Sequence, residues 1–237
     1  LFDTEGNKYL DMFSGIAVLH LGHNDQGLKD AMINQINKYA HLSNYFASEP
    51  VVELAKKLVE NSFAKKVFFA NSGTEANEGA LKLAVKWGKE ININKTEIIS
   101  TLNGFHGRTT GALALTGQPG KQEPFSTILP AVKYINYNSI ENLKAAVNEN
   151  TCAIFLEAIQ GEGGIIELDI EFVKELHALR DKYNFLIIMD EIQAGLGRTA
   201  NELFAYEAYG VNPDLVTLAN GIGGGLPLGA ILISDKL

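Results

Sequence analysis

The sequence predicts an α/β chain built on a doubly wound, mostly parallel sheet flanked by helices. Three observations predict it. Apolar runs too continuous for a strand with one wet face recur at 153–156, 185–189 and 215–218. Helical patterns lie between them, as crossovers between parallel strands require. A chain of 237 residues with 46% apolar and 20% charged residues has ample material for a core and is not disordered.

The elements follow in order. Residues 1–11 read as a hairpin turning at Glu5-Gly6-Asn7. Leu28, Met32, Ile33 and Ile36 recur at helical spacing and predict a helix over 26–39. Another spans 50–60, with Pro50 at its start. Val67-Phe68-Phe69 reads as a short buried strand. Ala76, Ala80, Leu83, Ala84 and Trp87 share one face of a helix over 75–87. Strands follow at 97–101 and 153–156. Leu176, Leu179 and Tyr183 line one side of a helix over 172–183, and 185–189 is the strongest strand signal. Strands at 215–218 and 229–234 complete the pattern. A strand so near the last residue is an aggregation risk if nothing covers it. No repeat or low-complexity tract appears. Both ends look cut, so the chain is expected to be a piece of a longer one, with an N-terminal segment at 1–45 and a large domain at 46–237.

Composition narrows the function classes. Twenty basic against 28 acidic residues leave a net charge of −8, which excludes a general nucleic-acid surface or a polybasic membrane anchor. The 20-residue uncharged run at 215–234 is long enough to span a membrane. Its six glycines and Pro227 break it into strand, loop and strand. Cys152, the single cysteine, reads as a small core residue. With no secretory leader, the expected compartment is the reducing cytoplasm. His20 and His23 lack companion ligands, so no metal is expected.

In a doubly wound sheet, ligands sit at the carboxyl ends of the strands. After the first strand, Ser72, Gly73 and Thr74 turn into a helix; free N–H groups there suit a phosphate, although an ordinary helix cap has the same look. After 97–101, Phe105 could lie on a flat ring and Arg108 could fork onto a carboxylate, or the loop is merely solvated. After 153–156 come Glu157 and Glu162, a polar pocket; a glycosidase-like pair is possible but nothing else supports it. Asp190 ends the most buried strand, where a carboxylate needs a cation or donors unless it is a helix cap. The glycines at 221–225 suggest a dinucleotide fingerprint, but Leu226 occupies the third glycine position and no helix follows, so it is rejected.

Taken together, the strand-end motifs Ser-Gly-Thr-Glu-Ala-Asn-Glu at 72–78, Phe-His-Gly-Arg-Thr at 105–109, Gln-Gly-Glu-Gly-Gly at 160–164 and Asp-Glu-Ile-Gln-Ala-Gly-Leu-Gly-Arg-Thr at 190–199 resemble the class III pyridoxal-phosphate aminotransferases of fold type I. The segments at 13–23, 204–207, 211–214 and 223–230 extend the resemblance over nearly the whole chain. Within that family, the segments 14–18, 41–44, 105–109 and 115–119 look most like the acetylornithine aminotransferases; ornithine, succinylornithine and 4-aminobutyrate aminotransferases are close relatives.

The resemblance implies transfer of an amino group from N-acetylornithine to 2-oxoglutarate, with pyridoxal 5'-phosphate as cofactor and amino-acid and 2-oxo-acid substrates. It implies a homodimer with shared sites. By the same resemblance, Ser72, Gly73 and Thr74 hold the cofactor phosphate, Asp190 pairs with the ring nitrogen, Phe105 and Ile192 pack the two ring faces, and Gln193 donates to the phenolic oxygen. Arg108 takes the substrate α-carboxylate, and Glu162 helps arrange the two half-reactions.

The sequence also departs from the family. Asn220, in Leu-Ala-Asn-Gly at 218–221, occupies the family's Schiff-base lysine position. An amide can neither form that covalent link nor relay a proton. The alternative is therefore a non-catalytic protein on the same fold. The family's C-terminal small domain is absent, and Ala158 and Ala200 stand where Pro and Gly are usual.

Overall fold

The computed structural model describes residues 1–43, 45–199 and 202–237. Asn44 and Ala200, both named above, lie outside the described residues. The strands are β1 (Lys66–Ala70), β2 (Glu97–Thr101), β3 (Lys133–Ile135), β4 (Thr151–Glu157), β5 (Ile159–Gln160), β6 (Ile166–Glu167), β7 (Leu186–Asp190), β8 (Leu215–Ala219) and β9 (Gly229–Ile233). One seven-stranded sheet has the order β1-β9-β8-β7-β4-β2-β3, and β5 and β6 form a small hairpin beside it.

Strands β8, β7, β4, β2 and β3 pair in parallel. Only β9 opposes its neighbours, because it pairs antiparallel with both β8 and β1. Strand β1 therefore points the same way as β8. The carboxyl ends of β1, β2, β4, β7 and β8 consequently share one rim of the sheet. The strand expected at 229–234 is not an uncovered edge: it lies between β1 and β8 and is buried along its length. The edge is β1, and it is not the buried strand the sequence suggests, since Phe68 is 57% exposed there.

Helices cover both faces, which is why the central strands carry no polar alternation. Successive residues of β4 point to opposite layers. Ala153 and Phe155 meet Ala76, Ala80, Ala84 and Trp87 of the helix Gly73–Ile91. Ile154 and Leu156 meet Phe172, Leu176 and Leu143 from the helices Ile170–Tyr183 and Ile140–Ala146. Burying each such Leu, Ile or Phe contributes roughly 1.5–3 kcal/mol. Cys152 is buried among them, and burial pushes its thiol up to about 12, so it is inert at neutral pH.

Helix starts follow local chemistry. Ser72 Oγ accepts from the Glu75 N–H, and Asp169 caps the helix Ile170–Tyr183 through the Glu171 N–H. Asn184 ends that helix in the left-handed region at φ 52°. The helix expected at 26–39 is present as Gln26–Lys38, and the one at 50–60 as Glu49–Glu60. The hairpin at the start is reduced to a single bridge between Phe2 and Lys8, because Asp3 draws in the N–H groups of Glu5 and Asn7. Among the described residues, no helix is long and apolar enough to cross a membrane.

Candidate active site

A cavity of about 490 Å³ opens at the shared rim, within the size range of small-molecule sites. Gly73, Thr74, Phe105, Arg108, Glu162, Asp190, Ile192, Gln193 and Asn220 all line it. These are nine of the ten residues singled out from the sequence. The tenth, Ser72, is not on the wall; its hydroxyl is spent on the helix cap.

The helix Gly73–Ile91 aims its N-terminus at the cavity. The N–H groups of Gly73 and Thr74 have no partner among the described residues, as the first turn of a helix requires. The Thr74 hydroxyl is 2.9 Å from that of Thr109 and accepts from the N–H groups of Arg108 and Thr109. This clamps the Phe105–Thr109 loop to the helix start. Gly107 makes the clamp possible: it sits at φ 134°, and a Cβ there would stand 2.3 Å from Thr74 Oγ1.

Asp190 is buried at the carboxyl end of β7. The Asn77 amide and the Ile192 N–H donate to its carboxylate at 2.8 and 3.0 Å, and His106 Nδ1 lies 2.8 Å from Oδ2. Asn77 also donates to the His106 carbonyl, and accepts from the Thr217 hydroxyl. The His106 pKa is raised: full burial pulls it down, but the hydrogen bond and charge of Asp190 outweigh that. His106 Nε2 is buried without a partner. In register beside Asp190, Glu157 ends β4. Burial pushes its carboxyl up to about 7, with the His106 charge opposing and the Asp190 charge adding.

The side walls are apolar. Phe105 and Ile192 line the cavity, and Ile192 packs directly over Gly73. Arg108 lies 5.6 Å and Lys121 4.7 Å from the Phe105 ring centre. Lys121 pairs with Glu162 at 3.3 Å. Opposite stands Asn220, at φ 58°, donating to the Ile16 carbonyl at 3.3 Å. Ile16 reaches the wall through a turn in which Ser14, Gly15, Ile16 and Ala17 all have positive φ. A β-branched residue in that region is an outlier, and such strain collects at functional sites.

These residues fit pyridoxal phosphate at two ends and not at a third. Free N–H groups at a 19-residue helix suit its phosphate, and a buried carboxylate suits its ring nitrogen. Asn220 offers no amine, and Lys121 is the only lysine on the described wall. Sequence reasoning had not singled out Asn77, Thr217, Lys121 or Ile16. The polar Asn77 beside the buried alanines of its helix was the one available signal; the rest depend on strand register and loop path.

Comparison with known proteins places these features in context. The family described as Aminotransferase class-III matches residues 1–237. An acetylornithine aminotransferase of Caldanaerobacter subterraneus is 49% identical over 236 residues, 99% of this chain and 60% of that protein. A succinylornithine transaminase of Photorhabdus laumondii is 47% identical, over 100% of this chain and 59% of its own length. The crystal structure of N-acetylornithine aminotransferase from Stenotrophomonas maltophilia superposes with a TM-score of 0.84 at 40% identity, covering 99% of this chain and 59% of that one. The chain thus spans about three fifths of the relatives it matches.

Proposed function

The chain belongs to the class-III aminotransferases, and we propose from that premise that it forms the cofactor-holding part of an enzyme moving an amino group from N-acetylornithine to 2-oxoglutarate. The observation that carries this reading is the convergence of the free N–H groups of Gly73 and Thr74, the buried Asp190 and the Phe105 and Ile192 walls on one cavity. The 44–49% identity to both acetylornithine and succinylornithine enzymes supports an N-acylated ornithine as donor. The family is pyridoxal-phosphate dependent. We further propose a cytoplasmic homodimer.

Pyridoxal phosphate, when bound, supplies an electron-withdrawing ring and a reactive aldehyde carbon. Gly73 and Thr74 would hold its phosphate. Asp190, kept in place by His106 and Asn77, would hold a proton on the ring nitrogen. Phe105 and Ile192 would exclude water from the two ring faces, and Gln193 would donate to the phenolic oxygen. Arg108 would take the substrate α-carboxylate, and Glu162 would serve the exchange between the two half-reactions. Asn220 cannot move a proton, and general-base transfer alone contributes about 10²–10⁴-fold. Turnover by this chain is therefore negligible in this reading. Asn220 also favours a second reading, a non-catalytic protein that binds the cofactor without a covalent link.

Borohydride reduction in the presence of pyridoxal phosphate, followed by peptide mass mapping, tests the proposal. The chain should retain the cofactor reversibly and carry no reduced adduct. Asn220→Lys should place an adduct at position 220 and produce a visible absorption band. An adduct on the unaltered chain, at Lys121 for instance, would overturn the role given to Asn220.

A further inference from the structure

The cavity carries two cations, Arg108 and Lys121, and the proposed function uses only one. Lys121 sits on the short helix Pro119–Gln122, and that helix is anchored. The neighbouring Gln122 amide reaches the carbonyls of Leu113 and Thr116 at 3.0 and 2.7 Å and the Tyr134 hydroxyl at 2.8 Å. Gln118 donates to the Gly104 carbonyl at 3.2 Å. The ammonium is therefore presented from a fixed turn, over the face of Phe105. Its side chain is only 27% exposed, and its partner Glu162 comes from the loop between β5 and β6 with a side chain 43% exposed.

We propose that Lys121 recognises the second carboxylate of a dicarboxylic substrate, accepting it in exchange for Glu162. The inference rests on the reading of the cavity as an aminotransferase site, in which Arg108 takes the first carboxylate. The chemistry is an ion exchange. A half-exposed pair of this kind contributes about 0–1 kcal/mol, so it opens at little cost. A substrate with an uncharged far end leaves Lys121 neutralised by Glu162, and no cation is stranded against Phe105. A diacid brings its own anion; Glu162 swings to solvent, and the charge count at the ring face is unchanged. One cavity can thus take an acylated amine and a diacid in turn.

Isothermal titration with glutarate and pentanoate tests this. The two acids share five carbons and one carboxylate, and differ only at the far end. Titrations are run with and without pyridoxal 5'-phosphate, whose own affinity is recorded on the same samples. The chain should bind glutarate about tenfold more tightly than pentanoate, the size expected of one partly exposed charge-assisted contact. Lys121→Gln should remove that preference by weakening glutarate alone. Lys121→Arg should keep it, and Glu162→Gln should tighten glutarate by removing the competing anion. An unchanged glutarate-to-pentanoate ratio in Lys121→Gln overturns the proposal. So does a Glu162→Gln chain that loses glutarate as Lys121→Gln does, or an unaltered chain that binds neither acid. Failure to bind pyridoxal phosphate would instead count against the cofactor reading, and the ratio still tests Lys121.

Discussion

Replacing Asn77 by alanine is the sharpest test of how the rim is held together. Asn77 is fully buried and makes three hydrogen bonds of 2.8 Å, to the His106 carbonyl, the Asp190 carboxylate and the Thr217 hydroxyl. Losing a bond to a charged group costs about 2 kcal/mol, and stranding two neutral buried groups about 1 kcal/mol each. Asn77→Ala should therefore destabilise the chain by about 4 kcal/mol, the upper end for a single substitution. Trp87, the only tryptophan, lies on the same helix and reports urea unfolding by its fluorescence. A loss under about 1 kcal/mol would refute the account, because the three partners would then be satisfied without Asn77. Asn77→Asp separates charge from shape: its carboxylate would face Asp190, and one of the two would have to hold a proton. Its deficit should shrink as pH falls from 8 to 5; a constant deficit would mean that Asn77 does not face the charge.

Two further outcomes are expected. Burial pushes Glu157 and Glu191 up to about 7 from 4.5, so each favours the folded state fully below pH 4.5 and loses that contribution as pH rises through 7. At about 1.4 kcal/mol per pH unit the loss reaches about 3 kcal/mol for each; Glu157→Gln and Glu191→Gln should flatten the profile, and a flat urea midpoint from pH 5 to 8 in the unaltered chain would refute it. Gly107→Ala would bring a Cβ within 2.3 Å of Thr74 Oγ1 at a φ of 134°, so it should cost about 1–3 kcal/mol and weaken pyridoxal phosphate binding; unchanged stability would show that the loop is not clamped there.

Much of the fold was legible because its signals are local. The apolar runs of β4, β7 and β8 declare strands covered on both faces, and the Ala76-Ala80-Ala84 stripe declares the helix packed on them. The illegible parts have short-range signals that compete with several outcomes. The three residues of β3 and the six of the helix Thr110–Leu115 are too few for a period to emerge. Phe68 reads as core by composition, yet β1 is an edge strand, and only the pairing of β9 with both β1 and β8 makes it one. That antiparallel insertion joins segments far apart in the sequence, so no window contains it.

The site divides the same way. The residue types at the strand ends were visible, but what they do to one another is a matter of register. Glu157 and Asp190 are partners across β4 and β7, and Asp190 and Thr217 across β7 and β8. Neighbouring parallel strands lie about 4.8 Å apart, too close for two bare carboxylates in a dry core. The environments resolve the conflict by splitting the pair. Asp190 collects the amide of Asn77, the Ile192 N–H and the ring of His106, all of which favour its anion. Glu157 collects only a long 3.4 Å contact from the Phe105 N–H, and its carboxyl rises to about 7. Divergent environments for paired titratable groups are how a site assigns separate roles to like residues. Here they leave one firm anion facing the cavity, where a protonated ring nitrogen would need it, and one carboxyl able to hold a proton beside it. Removing His106 should therefore disturb Asp190 and Glu157 together.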